Sequence, residues 1–178
     1  MSLKQIQIQD LDLNILHQFD KRWFLLTCGD FETGKFNTMT ISWGSLGTVW
    51  DKPFAQVFVR PTRYTFEFMN NYDSFTLCGF EKSHKSALDL IGSKSGREGN
   101  KIADAGLTPS KAATVKSPIF KEAELVLECR KMYWQDLDPT QFLFPELQRK
   151  YPKKDYHRVF YGEVLEVFGK EDFIRPTK

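Results

Sequence analysis

The chain has 178 residues, enough for one domain with a sizeable core, and a formal net charge of +2. With 41% hydrophobic and 15% aromatic residues it is too apolar to be a disordered chain. No apolar run approaches a membrane span, and 25 basic residues scattered among 23 acidic ones form no stripe of the kind nucleic-acid binders carry.

The opening residues, MSLKQIQIQDLDLN, hold no apolar signal core, which points to the cytoplasm. Strand-like runs rich in Val, Phe, Thr and Ile follow at Arg22–Gly29, Phe36–Trp43, Phe54–Arg60 and Ser74–Phe80. Two more lie at Glu124–Tyr133 and His157–Phe168. The first two are joined by Asp30–Lys35, a hairpin loop containing Gly34. Helical signals are fewer. Thr65–Asn70 suggests one short helix. Ser83 suggests the cap of a second, running through Ala87, Leu88 and Ile91 to Gly92. Asn100–Ala105 suggests a third, ended by Gly106, and Pro139–Lys150 a fourth, stopped near Pro152. Six strands with short interposed helices predict a mainly β fold with helical decorations, a small antiparallel barrel or sandwich. Cys28, Cys78 and Cys129 lie far apart with no CxxC, which predicts reduced thiols and no metal site.

Four segments carry polar chemistry. In Asn37-Thr38-Met39-Thr40-Ile41-Ser42-Trp43, alternation puts Asn37, Met39, Ile41 and Trp43 on one face and Thr38, Thr40 and Ser42 on the other. Such a strand offers amide and hydroxyl groups to a polar ring or sugar chain, or is simply Thr-rich with one core Trp. Arg60-Pro61-Thr62-Arg63-Tyr64-Thr65 follows a strand and precedes a helix. Two guanidinium groups beside a helix N-terminus suit a phosphate, and equally suit a capped turn with solvated arginines. Gly92-Ser93-Lys94-Ser95-Gly96-Arg97-Glu98-Gly99-Asn100-Lys101 has the glycines, hydroxyls and cations of a phosphate cradle, or of a surface loop. Neither GxxxxGK[ST] nor GxGxxG spacing is present. Arg149–Arg158 is basic and ends on His157, a residue able to bond a cofactor or relay a proton, whereas His17 and His84 read as surface residues. No nucleophile–base pair emerges from the spacing.

The order of these segments resembles the flavin reductase-like family of FMN-binding split barrels, in particular its flavoredoxin-like branch. The residues that carry the resemblance are FNTMTISWGSLGTVWDKPFAQVFVRPTRYTFEFM (36–69), DSFTLCGF (73–80), ALDLIGSKSGREGNKI (87–102), GLTP (106–109) and HRVFYGEV (157–164). The resemblance spans residues 20–168 of a single domain, 1–178, and implies a six-stranded antiparallel split barrel, homodimeric, that binds FMN. It implies that Asn37, Thr38, Met39, Thr40, Ser42 and Trp43 line the isoalloxazine and ribityl chain. Arg60, Thr62, Arg63 and Thr65 would stand near the phosphate or ribityl end, Ser95, Arg97 and Lys101 would close the phosphate side, and Cys78 and Gly79 would pass close to the ring. His157 would take a nicotinamide-side or proton role. Many short-chain flavin reductases carry Gly-Asp-His before this strand, where the chain has Asp155-Tyr156-His157, so the flavoredoxin-like branch fits better. The implied function is an FMN oxidoreductase taking hydride from NADH or NADPH and passing electrons to a flavin or protein acceptor. The alternative is a flavoredoxin-type electron carrier reduced by a protein partner.

Overall fold

A computed structural model describes residues 3–176 of the chain. In chain order its elements are β1 (Lys4–Ile6), α1 (Ile15–His17), β2 (Phe24–Asp30), β3 (Lys35–Ile41), β4 (Gly44–Val49) and β5 (Lys52–Val59). Then come α2 (Tyr64–Asn71), β6 (Ser74–Gly79), α3 (Lys85–Ser93), α4 (Lys101–Asp104), β7 (Pro109–Ser110) and β8 (Ile119–Phe120), and last the long strands β9 (Leu125–Asp136) and β10 (Arg158–Gly169). All strand pairs are antiparallel. Eight strands form one sheet in the order β3-β2-β6-β9-β10-β5-β4, with β1 added to the far end of β10, and β7 pairs with β8 alone.

The β2–β3 hairpin forms because Asp30 folds its own turn. Its carboxylate accepts the backbone N–H groups of Glu32 and Thr33 at 2.9 and 3.2 Å, and Gly34 adopts φ +68°. The β4–β5 hairpin turns on Trp50 and Asp51, both at positive φ (51° and 56°), the primed two-residue turn that matches strand twist. β1 and β4 were not expected from the sequence. The Gly44-Ser45-Leu46-Gly47 run has neither the β-branched residues nor the alternation that mark a strand, and it is held by its register against β5.

Alternation along β2 builds two cores. Phe24, Leu26 and Cys28 face the inner cluster, with Val57, Met69, Phe75, Leu77, Leu127 and Phe160. Leu25 faces the other side, where Cys78, Leu88, Ile91, Phe120 and Val126 pack under α3. All three cysteines are free and buried, and burial pushes the Cys28 and Cys78 thiols up to about 12. On β9, Leu125, Leu127 and Cys129 are buried, but so are Glu128 and, just before the strand, Glu124. The Glu128 carboxylate accepts the N–H groups of Ala113 and Thr114 and the Thr114 hydroxyl at 2.6–2.7 Å, fixing the loop after β7.

Two helix expectations need correction. Lys82–His84 is a 3-10 turn, and α3 starts after it without a side-chain cap, because the Ser83 hydroxyl meets His84 Nδ1 instead. Pro139–Lys150 forms two 3-10 segments, Pro139–Gln141 and Pro145–Lys150, because Pro145 in the middle disfavours the α conformation of the residue before it.

The terminal strands β3 and β4 follow each other in sequence through Ser42 and Trp43, yet stand at opposite ends of the strand order. This is the split in the barrel, and one edge of β3 there has no strand partner among the described residues.

Candidate functional site

Two small cavities meet along β3. One, about 160 Å³, lies by the last residues of β3 and β5 and is lined by Met39, Thr40, Ile41, Ser42, Trp43, Phe58, Arg60, Arg63 and His157. The other, about 130 Å³, is lined by Asn37, Met39, the Thr62–Thr65 segment and the Ile91–Gly96 segment, with Glu98 and Lys101. Met39 and Arg63 belong to both, so the two form one groove.

At the second cavity the groups suit an anion. Arg63 is the cap residue of the eight-residue α2, where unpaired N–H groups and the helix dipole favour negative charge. Its guanidinium makes one protein contact, to the Gly92 carbonyl at 3.3 Å, and no carboxylate among the described residues pairs with it. Lys101 is buried, and its amine donates to the Ile91 and Lys94 carbonyls at 2.9 and 3.1 Å. Burial, and to a smaller degree Arg63, pulls its pKa down to about 8. Two of its three N–H donors are used, and one remains. Ser95 orders the loop by accepting the Arg97 N–H at 3.2 Å. Asn37 and Thr65 are both buried, and the Asn37 amide donates to the Thr65 hydroxyl at 2.7 Å, tying β3 to α2. Gly96 lies directly against this pair. A Cβ there would fall 2.2 Å from Asn37 Oδ1 and 3.1 Å from the Tyr64 ring.

At the first cavity the groups are aromatic. The exposed Trp43 ring lies 5.0 Å from the His157 ring and 6.5 Å, edge-on, from Phe58. His157 is buried, and its Nδ1 meets the Tyr151 hydroxyl at 2.9 Å. Burial, then the neighbouring Arg60 charge, pulls its pKa down to about 4, so the imidazole is neutral near pH 7.

The structure gathers Asn37, Met39, Thr40, Ser42, Trp43, Thr62, Arg63, Thr65, Ser95, Lys101 and His157 along the groove. Within it, the Thr40 hydroxyl is already committed to the Leu88 carbonyl at 2.5 Å. Arg60 stands at the His157 end, apart from the Ser95–Lys101 loop. It bonds Asp155 and the Lys150 carbonyl, both at 2.8 Å, and lies over the Tyr151 ring at 5.0 Å. Its charge is answered by Asp155, and it clamps the 150–156 segment to the end of β5. Arg97 lines a neighbouring cavity, with its guanidinium over the Tyr64 ring at 4.7 Å and an ion pair to Glu67.

Three expected residues lie elsewhere. Thr38 is fully buried on the opposite face of β3, where its hydroxyl meets Thr27 at 2.9 Å and the Leu26 carbonyl at 3.2 Å. Cys78 is buried in the core under α3. Gly79 is buried against Gln18, Phe24 and Leu125. β2 separates β6 from β3 in the sheet, which keeps the latter two away from the groove. The sequence reading missed Tyr151 and Phe58. Tyr151 carried a faint signal, an aromatic ring inside a basic stretch six residues before a histidine.

Comparison with known proteins fits this geometry. The sequence profile described as "Flavin reductase like domain" matches residues 16–176. No curated protein sequence matches the chain. Among solved structures, an FMN-binding domain of a flavin reductases-like enzyme from Shewanella baltica superposes with a TM-score of 0.68 at 16% identity, covering 94% of this chain and 76% of its own. Flavoredoxin of Desulfovibrio vulgaris gives 0.66 at 21% identity, covering 87% and 75%. Nitrilotriacetate monooxygenase component B from Bacillus cereus gives 0.66 at 17% identity, covering 85% and 71%. These structures share the antiparallel barrel described above. The profile match spans nearly the whole chain, and the chain belongs to the flavin reductase-like domain family.

Proposed function

We propose that the groove along β3 binds FMN, with the phosphate at Arg63 and Lys101 and the ring toward Met39 and Trp43, and that the protein is an FMN oxidoreductase. The observation that carries this reading is the pairing of two cations that have no carboxylate partner among the described residues with an aromatic cavity, in one groove joined by Met39 and Arg63. The donor set suits a phosphate monoester, because Arg offers a fork of N–H groups and α2 presents its N-terminus beside it. The open edge of β3 offers backbone donors and acceptors to a polar ring.

Bound FMN supplies the hydride- and electron-transfer chemistry. The chain's part is to hold, orient and tune. Asn37 and Thr65 lock the floor between β3 and α2. Trp43 and Phe58 give an apolar wall that limits water beside a ring. His157, neutral and held by Tyr151, offers a ring nitrogen for hydrogen bonding without adding a cation.

The donor in this reading is NADH or NADPH, and the acceptor a flavin or a protein. The flavoredoxin neighbours support a second reading, an electron carrier reduced by a protein partner. The test is the visible spectrum of the FMN-loaded chain, taken anaerobically before and after NADH or NADPH. Bleaching at a catalytically useful rate is the expected result. A bound-flavin spectrum that persists selects the carrier, and no bound flavin contradicts both.

A further inference from the structure

Between β9 and β10 the chain makes an excursion, residues 138–156, closed at its base where the Leu137 N–H donates to the His157 carbonyl at 3.0 Å. Holding only 3-10 turns, it is far longer than two neighbouring antiparallel strands need. Its inner side is packed. The Tyr151 ring lies 4.8 Å from Tyr156 and 6.0 Å from Phe142, and Arg60 holds the segment through Asp155 and the Lys150 carbonyl. Its outer side is bare. Leu143, Phe144 and Leu147 are 90%, 63% and 43% exposed. The Leu147 N–H donates to the Phe144 carbonyl at 3.0 Å, and on such a turn residues three apart lie along one edge. Single exposed apolar side chains are ordinary, but three on one tip mark a contact surface. Around them, residues 139–154 carry Arg149, Lys150, Lys153 and Lys154 against one carboxylate, Glu146. All four cations are exposed, and none has a carboxylate partner among the described residues, since the nearby Asp155 is taken by Arg60.

We propose that this tip is the docking surface for an acidic redox protein that exchanges electrons with a flavin in the groove. The inference rests on the reading in which a protein partner serves the groove. Two observations choose this occupant. The first is charge. Unanswered cations round an apolar centre complement an apolar patch rimmed by carboxylates, and they steer the encounter as well as hold it. The second is place. Rings run in contact from the groove to the tip: Trp43 to His157 at 5.0 Å, His157 to Tyr151 at 5.5 Å, and Tyr151 to Phe142 at 6.0 Å, with Leu143 next in the chain. A partner seated on the tip therefore stands beside the aromatic end of the groove. Each encounter oxidises one partner molecule by one electron, and two such transfers with protons from water complete the reduction of one FMN.

The test uses ferredoxin, an acidic one-electron protein, against the full chain, with binding read by isothermal titration and transfer by anaerobic bleaching of FMN with reduced ferredoxin. Two double variants are compared with the wild type. Arg149→Glu with Lys153→Glu reverses charge, and Leu143→Ser with Phe144→Ser removes the apolar centre. None of these side chains lines the groove, so FMN affinity reports folding. Ferredoxin is expected to bind the wild type and bleach its FMN, with both effects falling about tenfold on going from low to high salt and about tenfold in each variant. The proposal is overturned if ferredoxin fails to bind the wild type, binds it without bleaching FMN, or binds the folded variants equally well. It is also overturned if the tip has another occupant. A wild-type dimer that the serine variant splits assigns it to a second copy, and sedimentation with phosphatidylserine vesicles that the glutamate variant loses assigns it to a membrane. A chain that binds no FMN contradicts the flavin reading, whereas salt-sensitive ferredoxin binding by that same chain keeps the docking surface.

Discussion

Lys101 shows how one residue's burial sets a measurable property. Its pKa stands near 8, well below an ordinary lysine, because the amine is buried and Arg63 lies near. An anion bound beside it stabilises the charged form, so binding and protonation are linked. FMN affinity is therefore expected to hold up to about pH 8 and to decline above it. A Lys101→Met variant should bind more weakly at pH 7 and lose that decline. Isothermal titration from pH 7 to 9 checks both, and a flat wild-type profile would place the amine away from the phosphate. His157 obeys the same physics with a different readout. Its folded pKa, about 4, lies below the ordinary 6.5, so below pH 6.5 the unfolded chain binds the proton more readily than the folded one. This contribution to stability is complete above pH 6.5 and is lost as pH falls toward 4. His157→Gln should show a shallower fall in urea midpoint between pH 6.5 and 4, and an unchanged slope would remove His157 as its source.

At the scale of elements, β10 explains why a motif can be a fold signal. Within HRVFYGEV, Gly162 sits where β10 slips register against β9, and a Cβ there would lie 2.5 Å from the Phe75 ring and 3.0 Å from Cys129 Cβ. Glu163 pairs with Lys52 and Arg130, both at 2.6 Å. Gly162→Ala should lower stability by about 1–3 kcal/mol through overpacking and leave FMN affinity per folded molecule unchanged. A denaturant midpoint like the wild type's would show that the core yields there. β2, β3, β5, β6, β9 and β10 were legible in the sequence because their β-branched, aromatic and other apolar residues declare them. β4 was not, since its glycines earn no strand signal and its pairing comes from the turn at Trp50 and Asp51. Alternation placed Asn37 and Met39 on one face of β3 and Thr38 on the other. The resemblance alone would have put all three in the site. Likewise it could not show that Arg60 spends its charge on Asp155, because that contact closes across 95 residues of sequence.

The whole molecule positions the groove by leaving its sheet open. Adjacent strands in sequence, β3 and β4, become the two ends of the strand path, and the split between them exposes the β3 edge beside Arg63, Lys101 and Trp43. The sheet thus supplies the floor, while the starts of α2 and α4 bring Arg63 and Lys101 to it. The central claim is that those cations hold a phosphate. The measurement that tests it most directly is a parallel titration with FMN and with riboflavin, which lacks the phosphate, on the wild-type chain and on Arg63→Ala. FMN is expected to bind the wild type far more tightly than riboflavin. Arg63→Ala is expected to cost FMN about 1–3 kcal/mol, the scale of a hydrogen bond to a charged group, while leaving riboflavin unchanged. Equal affinity for the two flavins, or an Arg63→Ala variant that binds FMN as the wild type does, would contradict the account.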